Sequence, residues 1–446
     1  MERIVFSVDL FRKNGVHFPS TFKMRESVDY RKMDNMERNF SGDSIKLGSA
    51  LKRIKDRTSI NYFNNIQTAQ ADAQYFAINT FPAYRMLLPD VLMDDWLSIV
   101  CPHQEHKRDH SFHQHLTAYI VSELLVGGDS GKGLALTKDK TLLDECARML
   151  LEKDGTKYLR DYYASLYPRD IPEGYYKQLW AKEVFYHTAI IAALFHDIGY
   201  PWQFLNKVGG SVELVNKEGG LIHESVGRSI FDYIEKRLLV YPFYGYSETP
   251  RLRPTAPWDA EVVKLIDDAY RNTHGFPGSL AFMYLNDSVR KFMGNLSVKQ
   301  ANIRFIQDWA SVGIMMHDMV RQYYGKKKNP DQPRFKLSMD KDPLSCIIGL
   351  ADVLEEFGRP MAKFNVGKNS LGVSFDDPCK KTEINIDKNT LRITYYYSSV
   401  AEKIKNEERR KKEIDDYFRT LTGYIDLSAI GIDKVLCDVR TRSSKK

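Results

Sequence analysis

The chain has 446 residues, more than one compact domain usually holds, with 43% hydrophobic and 28% charged residues. That composition supports a sizeable core and excludes disorder along most of the length. The net charge of +7, from 65 basic and 58 acidic residues, is too dilute to call for nucleic acid but suits an anionic ligand. The five cysteines, Cys101, Cys146, Cys346, Cys379 and Cys437, are scattered and show no CxxC spacing. Neither a disulfide framework nor a zinc ribbon is indicated, and a reducing compartment fits.

The start, "MERIVFSVDLF", is strand-like and carries Glu2 and Asp9 too early for a secretory signal. No apolar run approaches the roughly 20 residues that span a bilayer, so a cytoplasmic protein with no membrane partner is expected. Charged segments follow to about residue 60, and helical patterning takes over to Val100. From Asp109 to Arg359 apolar residues recur three and four apart, interrupted by loops such as "NKVGG" and "GKKKNPDQP". After Pro360, "EINIDKNTLRITYYYSS" alternates like a hairpin, and a charged helix begins near Val400. The fold class expected is mainly α: an all-helical core with loop insertions and a small α+β C-terminal module. The boundaries read as an N-terminal extension over 1–100, a core domain over 101–362 and the C-terminal module over 363–446.

The chemistry starts at "AALFHDIGYPWQF". An apolar helix that Gly199 and Pro201 terminate puts Asp197 in its last turn, at the negative end of the helix dipole. A buried carboxylate there loses several kcal/mol of hydration, so a cation should sit beside it. Either a metal or an arginine would serve. Other donors on core-facing stripes favour a metal: His113 is in phase with Leu116, Ile120 and Leu124, and Asp352 with Ile348. His223, in phase with Val226 and Ile230, and His317, in phase with Gly313 and Val320, repeat the pattern, while His274 precedes a glycine at a loop-to-helix junction.

The order His113, His196-Asp197, Asp352, each on a helix, resembles the HD superfamily of metal-dependent phosphohydrolases. "LFHDIG" and "LADVLEEFGR" carry the resemblance most specifically, and "FHQHLTAYIV" more loosely. It implies that His113, His196, Asp197 and Asp352 bind one ion in an HD-type core, with His223 and His317 as candidate ligands of a second. The 83 positions between His113 and His196 are wide for such a family and point to an insertion over about 126–180. The HDIG-x-P spelling is similar to deoxynucleotide triphosphohydrolases, although their usual Phe-Gly-His continuation is here Gln203, Phe204 and Leu205.

Imidazole and carboxylate donors suit Mn²⁺, Fe²⁺, Ni²⁺, Co²⁺ or Mg²⁺ and would accept Zn²⁺. The function expected is hydrolysis of a nucleotide phosphate, first a deoxynucleoside triphosphate, by a metal-activated hydroxide. A cyclic-nucleotide or dinucleotide phosphodiesterase and a nucleotide-sensing regulatory protein are the alternatives. Asp197 joins the catalytic set, with His110 and then His274 as candidate acids for the leaving group. Lys207, Arg321, Arg359 and Tyr200 are the candidate contacts to substrate. A homo-oligomer is expected from the resemblance, and nucleic acid is not an expected partner.

Overall fold

The computed structural model describes residues 3–14, 110–127, 133–152, 175–197, 199, 273–279, 282, 306, 309–318, 337–357, 362–367, 370–375, 379–418 and 423–441. Within them the chain opens on strand β1 (Arg3–Phe6) and helix α1 (Val8–Asn14). Helices α2 (His110–Leu125), α3 (Leu142–Glu152) and α4 (Tyr175–Phe195) follow. The short strand β2 (Leu337–Ser338) leads into α5 (Pro343–Leu354). Beyond it come β3 (Ala362–Gly367), β4 (Ser370–Phe375), β5 (Lys381–Asp387), β6 (Thr390–Tyr397), α6 (Val400–Phe418), β7 (Ile425–Asp426) and β8 (Lys434–Thr441).

Helices α2, α4 and α5 pack on one another, and their contact faces explain their composition. In α4 every residue from Val184 to Phe195 is buried, so the run is apolar all round rather than amphipathic. Helix α5 is started by Asp342, whose carboxylate accepts from Ser345 N at 3.0 Å and Ser345 Oγ at 2.6 Å, with Pro343 in the first turn. The cap and the proline fix where that helix begins. Gly349 faces Ile425, whose Cδ1 stands 2.8 Å from where a Cβ would be.

An all-helical core is not what forms. A four-stranded sheet runs in the order β1-β5-β6-β8, antiparallel except for the parallel β6/β8 pair. Its first strand comes from the N-terminus, Arg3 pairing with Asn385 and Phe6 with Thr382. The sheet shares its apolar core with the helices: Phe6 and Phe11 lie 6.4 and 5.5 Å from the ring of Tyr119 on α2. A second link is the parallel pairing of β2 with β7, and β3 and β4 form a separate antiparallel hairpin. Strand content therefore enters the core from both chain ends. The local pattern of "RIVF" marks a strand, but the identity of a partner some 380 positions away is a tertiary fact that no local period encodes.

The hairpin and the charged helix read from the C-terminal sequence are present as β5, β6 and α6. Lys388 takes a positive φ of 55° in the two-residue turn between the strands, the left-handed backbone that such turns demand. Helix α6 crosses from β6 to the parallel β8 and covers the sheet with Arg410, Ile414, Tyr417 and Phe418.

Candidate metal centre

The residues following Phe195 at the end of α4 are His196 and Asp197, 0% and 3% exposed. His113, near the start of α2, is also fully buried, and Asp352 comes from the last turn of α5 with its side chain 20% exposed. His113 Nε2 stands 3.1 Å from His196 Nε2 and 2.9 Å from Asp352 Oδ1. His196 Nε2 is 3.4 Å from Asp197 Oδ1, and His113 Nε2 is 3.7 Å from Asp197 Oδ2. Three helices thus deliver four donors to one point.

A second group adjoins it. His317, in the helical stretch 309–318, and His274, just before the helical turn 275–279, place their Nε2 atoms 3.1 Å apart. Asp197 Oδ1 lies 3.0 Å from His274 Nε2 and 3.8 Å from His317 Nε2. The triads His113, His196, Asp197 and Asp197, His274, His317 each gather their donor atoms within 4.8 Å, so each could hold a metal ion.

The other ring nitrogen decides what these clusters are suited for. His113 Nδ1 donates to Glu355 Oε2 at 2.5 Å, and His274 Nδ1 to Asp318 Oδ2 at 2.9 Å. His196 Nδ1 donates to Ala193 O at 2.7 Å and His317 Nδ1 to Ile314 O at 2.6 Å, the same three-residue reach back in both. With each Nδ1 placed as a donor, each Nε2 of a neutral ring turns a lone pair into the site. Two lone pairs about 3 Å apart repel unless a cation or proton lies between them. Ligands about 2.1 Å from one ion in adjacent coordination positions stand about 3.0–3.4 Å apart, the spacing found at both histidine pairs. Donor type, tautomer and separation therefore fit a divalent ion.

Protonation responds to the same arrangement. Burial disfavours a charged His274, but the carboxylates of Asp318 and Asp197 outweigh it and hold the ring up at about 10. Burial raises Asp318 while His274 and His317 overcome that and hold it well below the usual carboxylate range. In the metal-free state the proton on His274 occupies the place a cation would take.

Two glycines make the convergence sterically feasible. A Cβ on Gly199 would sit 1.8 Å from the carbonyl oxygen of His274 and 2.6 Å from Gly278 N. The glycine of HDIG is therefore more than a helix stop, because it admits the backbone that carries His274. Gly275 similarly lets Ile314 O and Met315 O approach, at 2.6 and 2.9 Å from its would-be Cβ.

Of the residues picked out from the sequence, the structure brings together His113, His196, Asp197, Asp352, His317 and His274, the last among the donors of the second group. His110 opens α2, but its side chain lies outside the described residues, as do His223, Lys207, Arg321, Arg359 and Tyr200 altogether. Sequence reasoning missed Glu355 and Asp318. Asp318 was signalled by a second His-Asp pair, "MMHDMV" echoing "LFHDIG"; Glu355 lies inside "LADVLEEFGR", where nothing local separates it from Glu356.

No family model, curated protein or solved structure matches the chain. Among the described residues no helix is long and apolar enough to cross a membrane.

Proposed function

We propose that the chain is an HD-type metal-dependent phosphohydrolase that acts on a nucleotide phosphate. The observation that carries this reading is the convergence of four imidazole Nε2 atoms, in two groups, on the single carboxylate of Asp197. His113, His196, Asp197 and Asp352 would hold one ion, and His274 and His317 a second, with Asp197 shared. Bound there, a divalent ion of the Mn²⁺, Fe²⁺, Ni²⁺, Co²⁺, Mg²⁺ or Zn²⁺ group supplies Lewis acidity toward a phosphoryl oxygen and a nucleophile at neutral pH.

The protein's own residues hold and orient. Glu355 and Asp318 keep His113 and His274 in the tautomer that presents Nε2, and the carbonyls of Ala193 and Ile314 do the same for His196 and His317. In this reading His274 is an ion ligand rather than the leaving-group acid, and His110 keeps that second role. Lys207, Arg321, Arg359 and Tyr200 remain the proposed contacts to substrate.

The deoxynucleoside triphosphate as substrate rests on the HDIG-x-P spelling. The second histidine group favours another reading, a cyclic-nucleotide or dinucleotide phosphodiesterase, because a second ion held by Asp197, His274 and His317 would add Lewis acidity toward a phosphodiester. Incubation with Mn²⁺ and a panel of deoxynucleoside triphosphates, cyclic nucleotides and dinucleotides tests both. Release of triphosphate with a nucleoside supports the first and a linear monophosphate the second. Turnover should vanish on chelation and in Asp197→Ala, whereas saturable binding without any turnover would replace the enzyme reading with a nucleotide sensor.

A further inference from the structure

Helix α5 ends by sending two consecutive glutamates to different parts of the molecule. Glu355 caps it with extended backbone, φ −82° and ψ 104°, a conformation in which successive side chains leave on opposite sides. Glu355 Oε2 receives Nδ1–H of His113 at 2.5 Å. Glu356 Oε1 instead receives Arg409 Nη2 at 2.7 Å and pairs with the guanidinium of Arg410, both on α6. Two residues before Glu355, the hydroxyl of Tyr395 on β6 donates to Val353 O at 2.8 Å, occupying a carbonyl of the last helical turn, where intrahelical donors run out. Arg410 also lies over the Tyr395 ring, 5.5 Å from its centroid. Glu355, Glu356, Arg410 and Tyr395 are 1%, 6%, 2% and 0% exposed.

We propose that Arg410 is a positioning residue for the metal centre, fixing through Glu356 the carboxylate of Glu355 and with it the ring of His113. The proposal rests on the metal reading of that site. Consecutive Cα atoms are separated by about 3.8 Å of rigid peptide, so a shift of Glu356 reaches Glu355 with no flexible residue between them to absorb it. Stability alone is a poor account of the pair. Buried ion pairs are commonly replaceable by apolar side chains of similar volume with no loss of stability, so this pair calls for a role besides stability, and fixing local geometry is one such role.

The test uses the full chain, stripped with chelator and titrated with Mn²⁺ in a calorimeter at a temperature where circular dichroism shows every variant folded. Arg410→Met should weaken Mn²⁺ binding at one site about tenfold, the lower end of the effect of losing an outer-shell partner. Arg410→Met/Glu356→Leu, which turns the buried pair apolar, should keep the thermal midpoint of the chelated protein and still bind Mn²⁺ as weakly as the single variant. Arg410→Lys should recover part of the affinity. Glu413→Gln, which removes the other carboxylate on Arg410 but no link to α5, should leave it unchanged. A double variant with both the wild-type midpoint and wild-type Mn²⁺ affinity would make the pair packing alone and overturn the proposal. Absence of Mn²⁺ binding by the unsubstituted chain would overturn the metal reading and this proposal together.

Discussion

At the scale of single residues, the decisive feature is the division of labour within each imidazole. An isolated buried histidine is usually a core residue with its ring nitrogens hydrogen-bonded, and four of them at random would point their free nitrogens in unrelated directions. Here each Nδ1 is tied to an oxygen and each Nε2 faces a neighbour across 3.1 Å. Asp197 stands between the groups, so the two sites are coupled through it. Metal analysis after dialysis against Mn²⁺ should give two equivalents for the unsubstituted chain and one for His274→Ala or His317→Ala. His113→Ala should likewise retain one, while Asp197→Ala should fall below one because both sites lose a ligand. Two full equivalents in Asp197→Ala would remove the shared carboxylate from the scheme. This set was partly readable in advance, since His113, His196, Asp197, Asp352 and His317 lie on apolar stripes where a polar side chain needs a reason. Glu355 was not, because it sits at a helix end, where a glutamate has many reasons to be.

At the scale of elements, α4 illustrates how an apolar helix pays for ionisable groups. His187, midway along it, is 3% exposed, and burial pushes its ring down to about 4. Both states are neutral there above the ordinary histidine value near 6.5, so His187 contributes no pH dependence at pH 7 and above. Between about 6.5 and 4 only the unfolded chain takes up the proton, and stability therefore falls as pH falls across that window. From pH 7 to pH 4.5 the loss from this one group is about 2 kcal/mol. His187→Leu removes the titration at similar volume. Urea unfolding in chelator should show the substituted protein losing less stability over that interval than the unsubstituted one, and equal losses would mean that His187 is protonated in the fold. The apolar run at the end of α4 was plain in the sequence, as were the apolar stripes that carry His113 on α2 and Asp352 on α5, because each is set by local burial. Their ends were less so: Gly199 reads as a helix stop, yet a side chain there would run first into the backbone carbonyl of residue 274.

At the scale of the whole molecule, the sheet and the helices are one packing problem. Separating a helical body from an α+β tail was the natural inference from composition, because periodicity changes near Pro360 and the strand at residues 3–6 looks isolated. Pairing is what joins them, and pairing between β1 and β5 is invisible to any window of the sequence. Phe6 makes the join: it is 0% exposed, closes the β1/β5 register opposite Thr382, and meets Tyr119 edge-on at 6.4 Å. Tyr119 follows His113 by six positions, about 9 Å along α2, so the N-terminal strand buttresses the helix that carries His113 at some distance from the donor atoms. Truncating a buried phenylalanine typically costs about 3–5 kcal/mol. Phe6→Ala should therefore lower the thermal midpoint of the chelated protein by many degrees while leaving its Mn²⁺ equivalents, measured below that midpoint, unchanged. A midpoint equal to that of the unsubstituted chain would show that β1 contributes little to the core. Lost metal with an intact midpoint would place the N-terminal strand in the ion site instead.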